Sequence, residues 1–281
     1  MIEARMTSQA LCEPLDTGGE VVRRLVGLQA QDEWIAPYAI RARARDTDPG
    51  DVVVNWLMRG TLHMVAAEDA GWLTALLGPH FIRKFTRRRL ELGLTDEYLA
   101  KAVPQLVERL PGTRAELLDG MGLEGQARAH LLAYAGMSGA LCLRGKTYVR
   151  MPPSEEHSLD ELVSRYQLGY GPATPADFTA WAGIKPTSWP ERTHRARKPP
   201  RVKLLGFLDP YLLGYKDRSF TLDPVHTKQV QRGGGFLRPV VLVDGRVAGT
   251  WTLDGEVNAW APVPEAGLAA ELADLARFRA R

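Results

Sequence analysis

The stretch Gly27-Leu28-Gln29-Ala30-Gln31 sets two carboxamides two positions apart. On a helix those side chains would diverge, whereas on an extended segment they share a side, because strand side chains alternate. A carboxamide is no general base. Its NH2 donates while its oxygen accepts, so a facing pair can hold and orient a water molecule. Two solvated glutamines closing a helix are the plainer alternative. Other spellings of chemistry fail in context. Gly120-x-Gly122-x-x-Gly125 matches a dinucleotide fingerprint in letters only: it follows helical pattern rather than a strand, and no acidic residue stands about 20 positions on to hold a ribose. Gly233-Gly234-Gly235 lacks the Lys-Ser/Thr of a phosphate loop. His63, His80, His130, His157, His194 and His226 show no metal-ligand spacing, and there is no Gly-x-Ser-x-Gly elbow. No metal and no cofactor are expected.

The chain around the glutamines is ordinary globular material. Its 281 residues carry 36 Lys plus Arg against 33 Asp plus Glu, a net charge of +3, so affinity for nucleic acid has to come from local patches. Cys12 and Cys142 are too few for a disulfide framework and lack Cys-x-x-Cys spacing, which fits a reducing compartment. Glu3, Arg5 and Glu13 leave no apolar run for a secretory signal. The apolar stretch Leu131–Leu143, broken by Gly136, Ser138 and Gly139, is too short to cross a bilayer. A soluble, cytoplasmic protein without a membrane partner is expected.

Thr17 and Glu20 spell a capping box opening a helix whose Val21, Val22, Leu25 and Leu28 share a face. Pro37 is placed at the first position of a second helix, continuing from Tyr38 to Arg45 with Arg41, Arg43 and Arg45 alternating with alanines. Val52 to Val65 reads as strand, with Arg59-Gly60 as turn. Helix, helix and ribbon is the order of a winged-helix module. A second unit follows: helices over Glu68–Arg89, Asp96–Leu110, Ala115–Leu118 (capped by Thr113 with Glu116) and Gly125–Leu143, then a β ending at Thr147–Met151. A third begins at Leu159–Tyr166, turns at Tyr170-Gly171-Pro172 and enters a helix through Trp181, with Thr174 as cap and Pro175 as first residue. Arg192 to Lys203 is a basic connection. Beyond it come β runs at Val202–Phe207, Val240–Val243 and Val247–Leu253, joined by the Asp244-Gly245 turn, and a closing helix over Ala266–Arg279. The predicted boundaries are 1–78, 79–152, 153–200 and 201–281.

Separated motifs in order make the chain resemble the AlkZ-like DNA glycosylases, a family that includes YcaQ. Gly27-Leu28-Gln29-Ala30-Gln31 resembles the family's Gln-x-Gln signature, and Arg59-Gly60-Thr61-Leu62-His63-Met64 its Arg-Gly-Thr-Leu-His-Leu segment. Arg165-Tyr166, Tyr170-Gly171-Pro172-Ala173-Thr174 and Asp177-Phe178-x-x-Trp181 are similar to a third module. The run from Leu204 to Arg218, Gly233-Gly234-Gly235 and Val247-Ala248-Gly249-Thr250-Trp251 resemble the C-terminal region. The resemblance implies an α+β fold: tandem winged-helix modules followed by a β-rich, barrel-like C-terminal element, with a cleft for duplex DNA. It implies a monofunctional DNA glycosylase that excises cationic N7-alkylpurines and unhooks interstrand crosslinks in self-resistance to a DNA-alkylating natural product. Gln29 and Gln31 would be its catalytic pair. YcaQ-type members carry Asp at the second position, so Gln31 points to the AlkZ side.

The expected partner is double-stranded DNA with alkylated or crosslinked purines, bound by a monomer. Phosphate contacts come mostly from Arg and Lys, and two patches offer them: Arg83, Lys84, Arg87, Arg88 and Arg89, and the connection carrying Arg195, Arg197 and Lys198. Each could equally be a solvated face. His63 and Arg59 stand in matching motif positions and are candidates to line the site, although a buried structural histidine is as simple. Arg165, Asp209, Asp217 and Arg218 match motifs too; intramolecular ion pairing is the simpler account, with Arg218 kept as a DNA-contact candidate. Trp181 and Trp251 read as core. The chain looks shortened between Arg45 and Trp56 and between Leu143 and Thr147. The alternatives are a non-catalytic winged-helix DNA-binding protein and a protein that sequesters the alkylating compound itself.

Overall fold

The computed structural model describes residues 1–280. Helix α1 (Ile2–Ser8) and strand β1 (Leu15–Thr17) lead into α2 (Gly18–Arg24). The Thr17 hydroxyl accepts from the Glu20 amide while the Glu20 carboxylate accepts from the Thr17 N–H, so the capping box forms as expected. Past Arg24 the chain takes positive φ at Val26 and Gly27, which turns it out of the helix and into β2 (Leu28–Gln29). A Cβ at Gly27 would lie 2.8 Å from the Val65 side chain, so both the turn and the close approach require glycine there.

Helix α3 (Ile35–Arg41) starts ahead of Pro37, which sits within the first turn, where its missing N–H costs no bond. The helix stops at Arg41 rather than Arg45. Ala44–Asp46 is instead strand β3, parallel to β1. The three alternating arginines therefore part company. Arg41 reaches Glu271 and Asp274 at 2.8 Å each, Arg43 turns inward, and Arg45 meets Asp16 at the surface.

Strands β4 (Val52–Trp56) and β5 (Leu62–Ala66) form the expected hairpin, with Arg59 and Gly60 both at positive φ in its turn. Helices α4 (Ala67–Lys84), α5 (Thr86–Glu91), α6 (Asp96–Glu108), α7 (Arg114–Leu118) and α8 (Gly125–Met137) follow. The helix predicted through Leu143 ends at Met137. Gly139 at positive φ redirects the chain into β6 (Leu141–Arg144), which pairs with β7 (Thr147–Arg150). An unbroken apolar run does not distinguish buried helix from buried strand, which is why periodicity overextended this one. All these strands except β1 and β3 belong to one antiparallel sheet in the order β2-β5-β4-β6-β7.

Helix α9 (Leu159–Tyr170) runs a turn further than predicted, and α10 (Pro175–Ala182) is capped by Thr174 in a box with Asp177. The basic connection has no regular element up to Arg201, and its last two residues open the next strand. Then come β8 (Val202–Leu205), α11 (Pro210–Leu213), α12 (Thr227–Val230), β9 (Val240–Val243), β10 (Arg246–Trp251), β11 (Val257–Ala259) and α13 (Glu265–Arg279). The fold is α+β, as expected. The C-terminal element is not a barrel: β11-β10-β9-β8 is an open antiparallel sheet whose end strands do not pair, and no closed barrel occurs among the described residues. Four short strands are too few to close, and α13 packs Leu268, Leu272 and Leu275 together with Val202, Leu204 and Trp251.

One buried ion pair ties the N-terminal half to this last part. Arg43 and Asp209 are both sealed from solvent and meet in a fork, Nη2 to Oδ1 at 2.6 Å and Nη1 to Oδ2 at 2.9 Å. Ala39 O and Gln9 Oε1 accept the remaining Nη protons, and Asp209 also caps α11 by accepting from the Tyr211 N–H. Breaking such a pair from one side leaves an uncompensated buried charge. Asp209→Ala is expected to cost about 3–5 kcal/mol in urea unfolding. Asp16→Ala, which frees only the exposed Arg45, should cost less than about 1 kcal/mol. Equal effects would contradict this assignment.

Candidate active site

Strand β5 is the spine of the site. Its His63 stands directly opposite Gln29 of β2 on one side and Asn55 of β4 on the other, so the three polar residues form one row across the sheet. Gln29 is 7% exposed. Its Nε2 donates to Thr61 Oγ1 at 3.1 Å, while its Oε1 is buried with no hydrogen-bond partner among the described residues. Buried polar atoms are seldom left so, and this one sits where the sheet ends. The chain stays extended one residue more, with the Ala30 N–H donating to Leu62 O at 3.0 Å. It then departs the sheet at Gln31, which is exposed in a bend. The two glutamines are thus unlike: one locked on the sheet, one at the rim beside Trp34, itself 57% exposed.

His63 is 2% exposed, and its Nδ1 lies 2.8 Å from Thr61 O, a contact only a protonated Nδ1 can make. Burial, and then the charge of Arg59, push its pKa down to about 3. The ring is neutral and its Nε2 is an acceptor. Arg59, half-buried at φ 57°, donates to Trp181 O. Gly183 makes room for it, since a Cβ there would lie 3.1 Å from Arg59 Cα. Burial also lowers the Arg59 pKa, and the charge of Arg218 lowers it further. Arg218, half-buried, donates through Nε to Leu212 O at 2.6 Å. Neither arginine has a carboxylate partner among the described residues. The acids next to Gln31 are engaged elsewhere: Asp32 accepts from the Trp34 N–H and Glu33 faces Lys146. Such a site can orient a water and attract anions, but it holds no strong base.

The structure brings together Gln29, His63, Arg59 and Arg218 and sets the other candidates apart. Arg87 and Arg88 on α5 both engage Glu91 at 3.0 Å, so they are not the free cations expected, although exposed pairs of this kind are weak enough to exchange for phosphate. Arg83 and Lys84 beside them are exposed without an acidic partner among the described residues, while Arg89 is buried. On the basic connection Arg197 meets Glu13 at 3.0 Å, whereas Arg195 and Lys198 are exposed and unpaired by any described acid. The connection borders a cavity of about 670 Å³ that also takes in Arg24 and Arg45, two cations whose place here no local pattern reveals. The motif residues do not pair with one another: Arg165 bonds Asp69 at 2.6 Å, Asp209 bonds Arg43, and Asp217 accepts from Ser219. Trp181 and Trp251 are core, as predicted. Among the described residues no cluster of His, Cys, Asp or Glu could hold a metal ion, and no helix is long and apolar enough to cross a membrane. Thr61, inside a matched motif yet given no role from sequence, is the hydrogen-bond partner of Gln29 that only the fold discloses.

A family model described as DNA glycosylase AlkZ-like matches residues 22–192 and 187–278. An interstrand DNA cross-link repair glycosylase of Streptomyces sahachiroi is 25% identical over 318 aligned residues, covering 89% of this chain and 85% of the relative. The solved structure of the Streptomyces sahachiroi DNA glycosylase AlkZ has the same fold, with a TM-score of 0.77 at 24% identity over 99% of this chain and 96% of that one.

A histidine pKa depressed from 6.5 to about 3 sets the direction of a pH effect. Within that window the unfolded chain binds a proton that the folded one excludes. The stability His63 contributes is present above about pH 6.5 and is lost as pH falls towards about 3. The His63 ring should show no titration by NMR between about pH 8 and about pH 5, and His63→Gln should flatten the acid side of the stability profile. A ring titrating near its ordinary value would remove this assignment.

Proposed function

The chain belongs to the AlkZ-like family of DNA glycosylases, and from that premise we propose that it hydrolyses the N-glycosidic bond of cationic N7-alkylpurines in duplex DNA, with Gln29 and Gln31 orienting the water. Alkylation at N7 puts a positive charge on the base, which then leaves neutral and needs no strong acid. The sugar left behind resembles an oxocarbenium ion. Carboxamide oxygens stabilise that cation as dipoles and hold the water close to it, a positioning and electrostatic task. The observation that carries this reading is the buried Gln29 Oε1, which has no donor in the protein and lies at the sheet edge, with exposed Gln31 two residues on. No lysine adjoins the pair in sequence, and Lys146, which reaches Glu33 two residues on, is held in an ion pair, so the proposed enzyme is monofunctional, without Schiff-base lyase chemistry.

The helix-and-hairpin units at 1–78 and 79–152, with the all-helical segment 153–200, act in this reading as the modules that flank the duplex, and 201–281 as a β-rich support. Arg59 and Arg218 would repel a cationic base, so they face phosphate, and Arg195 and Lys198 supply further backbone contacts. Arg87 and Arg88 join them by releasing Glu91. The Streptomyces sahachiroi relative is named for interstrand cross-link repair, and the same substrate class is proposed here. A base tethered to both strands cannot swing freely into a deep pocket, and a site at a sheet edge does not ask it to.

Release of 7-methylguanine from an N7-methylated duplex tests the proposal. The wild type is expected to release the base, while Gln29→Ala and Gln31→Ala each slow release by about 10²–10³-fold and keep duplex affinity within a few-fold. A crosslinked duplex in the same assay should be unhooked. Absence of release by the wild type, with binding intact, would sink the proposal.

A further inference from the structure

We infer that Thr61 is a positioning residue that fixes which face of the Gln29 carboxamide meets the reaction; this rests on the role proposed for Gln29 above. The grounds lie in proton counting at one hydroxyl. Thr61 Oγ1 lies 3.1 Å from Met58 O and 3.1 Å from Gln29 Nε2. A carbonyl oxygen only accepts, so the single hydroxyl proton goes to Met58. Towards Gln29 the hydroxyl then has only lone pairs to offer, and the amide must present its NH2. Its oxygen is turned the other way, where no protein donor meets it. The flipped amide would need that same hydroxyl proton, and the Met58 bond would be lost. Orientation of a glutamine is otherwise a soft choice between two nearly isosteric ends. Thr61 removes the choice.

The turn holds the hydroxyl in place. Arg59 and Gly60 at positive φ carry the chain back on itself, so that the Leu57 N–H donates to Thr61 O and the Thr61 N–H to Met58 O. The carbonyl that takes the hydroxyl proton therefore belongs to the same tight loop. On the far side, the Ala30 N–H to Leu62 O bond sets Gln29 over Thr61. Asn55, the other buried carboxamide of the row, marks the contrast. It uses Nδ2 for Thr74 and Gly136 O, and its oxygen lies against Gly136 in helix packing, away from the edge. Of these two, the Gln29 oxygen is the one on the edge strand, with no partner among the described residues.

The test is single-turnover release of 7-methylguanine at saturating duplex, with affinity measured alongside. Thr61→Val keeps shape and removes the hydroxyl; release is expected to fall about 10- to 100-fold with duplex affinity unchanged. Thr61→Ser restores both bonds and should stay within about twofold of wild type. In a Gln29→Ala background Thr61→Val should add nothing, because it acts through Gln29; a purely structural role would multiply the two losses. Should Thr61→Val fail to fold, Thr61→Ala takes its place in the same cycle. If Gln29→Ala abolishes release while Thr61→Val leaves it within twofold, or if the two effects multiply, the inference is overturned and the proposed function stands. If the wild type releases nothing, both fall.

Discussion

The Arg43–Asp209 pair is the constraint from which the rest of the structure hangs. Two full charges lie in a space closed to water, made tolerable by the fork between them and by partners for the remaining Nη protons, although Arg43 Nε is left without a partner among the described residues. Asp209 gives both oxygens to the guanidinium and Oδ1 also to the first turn of α11, while Gln9 and Ala39 take the remaining Nη protons. The bonding then runs onward. Gln9 Nε2 donates to the Tyr215 hydroxyl, Tyr215 donates to Tyr170 O at 2.7 Å, and the Tyr170 hydroxyl donates to Leu25 O at 3.1 Å. Burial drives both phenols well above their ordinary range, so they remain donors. Leu25 stands at the end of α2, directly before the positive-φ turn that delivers Gln29. A pairing far along the chain thus reaches the site through single, directional bonds, which suits a role in specifying one arrangement more than in adding net stability.

The electrostatics of the site follow from what the fold leaves out. Burial keeps His63 neutral, two half-buried guanidiniums bond only to backbone oxygens, and the nearby acids are turned to other partners. A carboxylate beside Arg59 and Arg218 would satisfy them, and they would then have little to offer an anion. Left as they are, their field favours negative charge arriving from outside. For the cationic purine proposed as substrate the balance would need a phosphate near the same spot, and duplex DNA provides one at every nucleotide.

Local chemistry was legible wherever it was self-contained. The capping boxes at Thr17 and Thr113, the Thr174 cap and the Arg59-Gly60 turn depend on residues at most a few positions apart, and each formed as spelled. Long-range partners were not legible. Arg41, Arg43 and Arg45 look alike on the page, yet one docks α13, one is buried and one is at the surface. Asp209 and Arg165 were recognisable as ion-pair material, but Arg43 and Asp69 could not be named as their partners without the fold. The apolar run to Leu143 hid a strand because apolar content carries no period. The C-terminal β runs gave no count of neighbours, so an open sheet was indistinguishable from a barrel.

The glutamines show the same limit at finer scale. Alternation of side chains put Gln29 and Gln31 on one side of an extended segment, and the segment is extended through Ala30. What the spacing could not convey is that β2 is an edge strand that ends between them. An edge strand this short exposes little backbone to unwanted pairing, and its end is where a side chain can leave the sheet while its neighbour remains fixed. That division has a physical use. A water held by Gln29 alone would be ordered but enclosed, and one held by Gln31 alone would exchange with solvent. On the proposed function, a water held between a buried oxygen with no donor among the described residues and an exposed amide would be ordered from one side and accessible from the other, which is what hydrolysis at a bulky, partly tethered base would require.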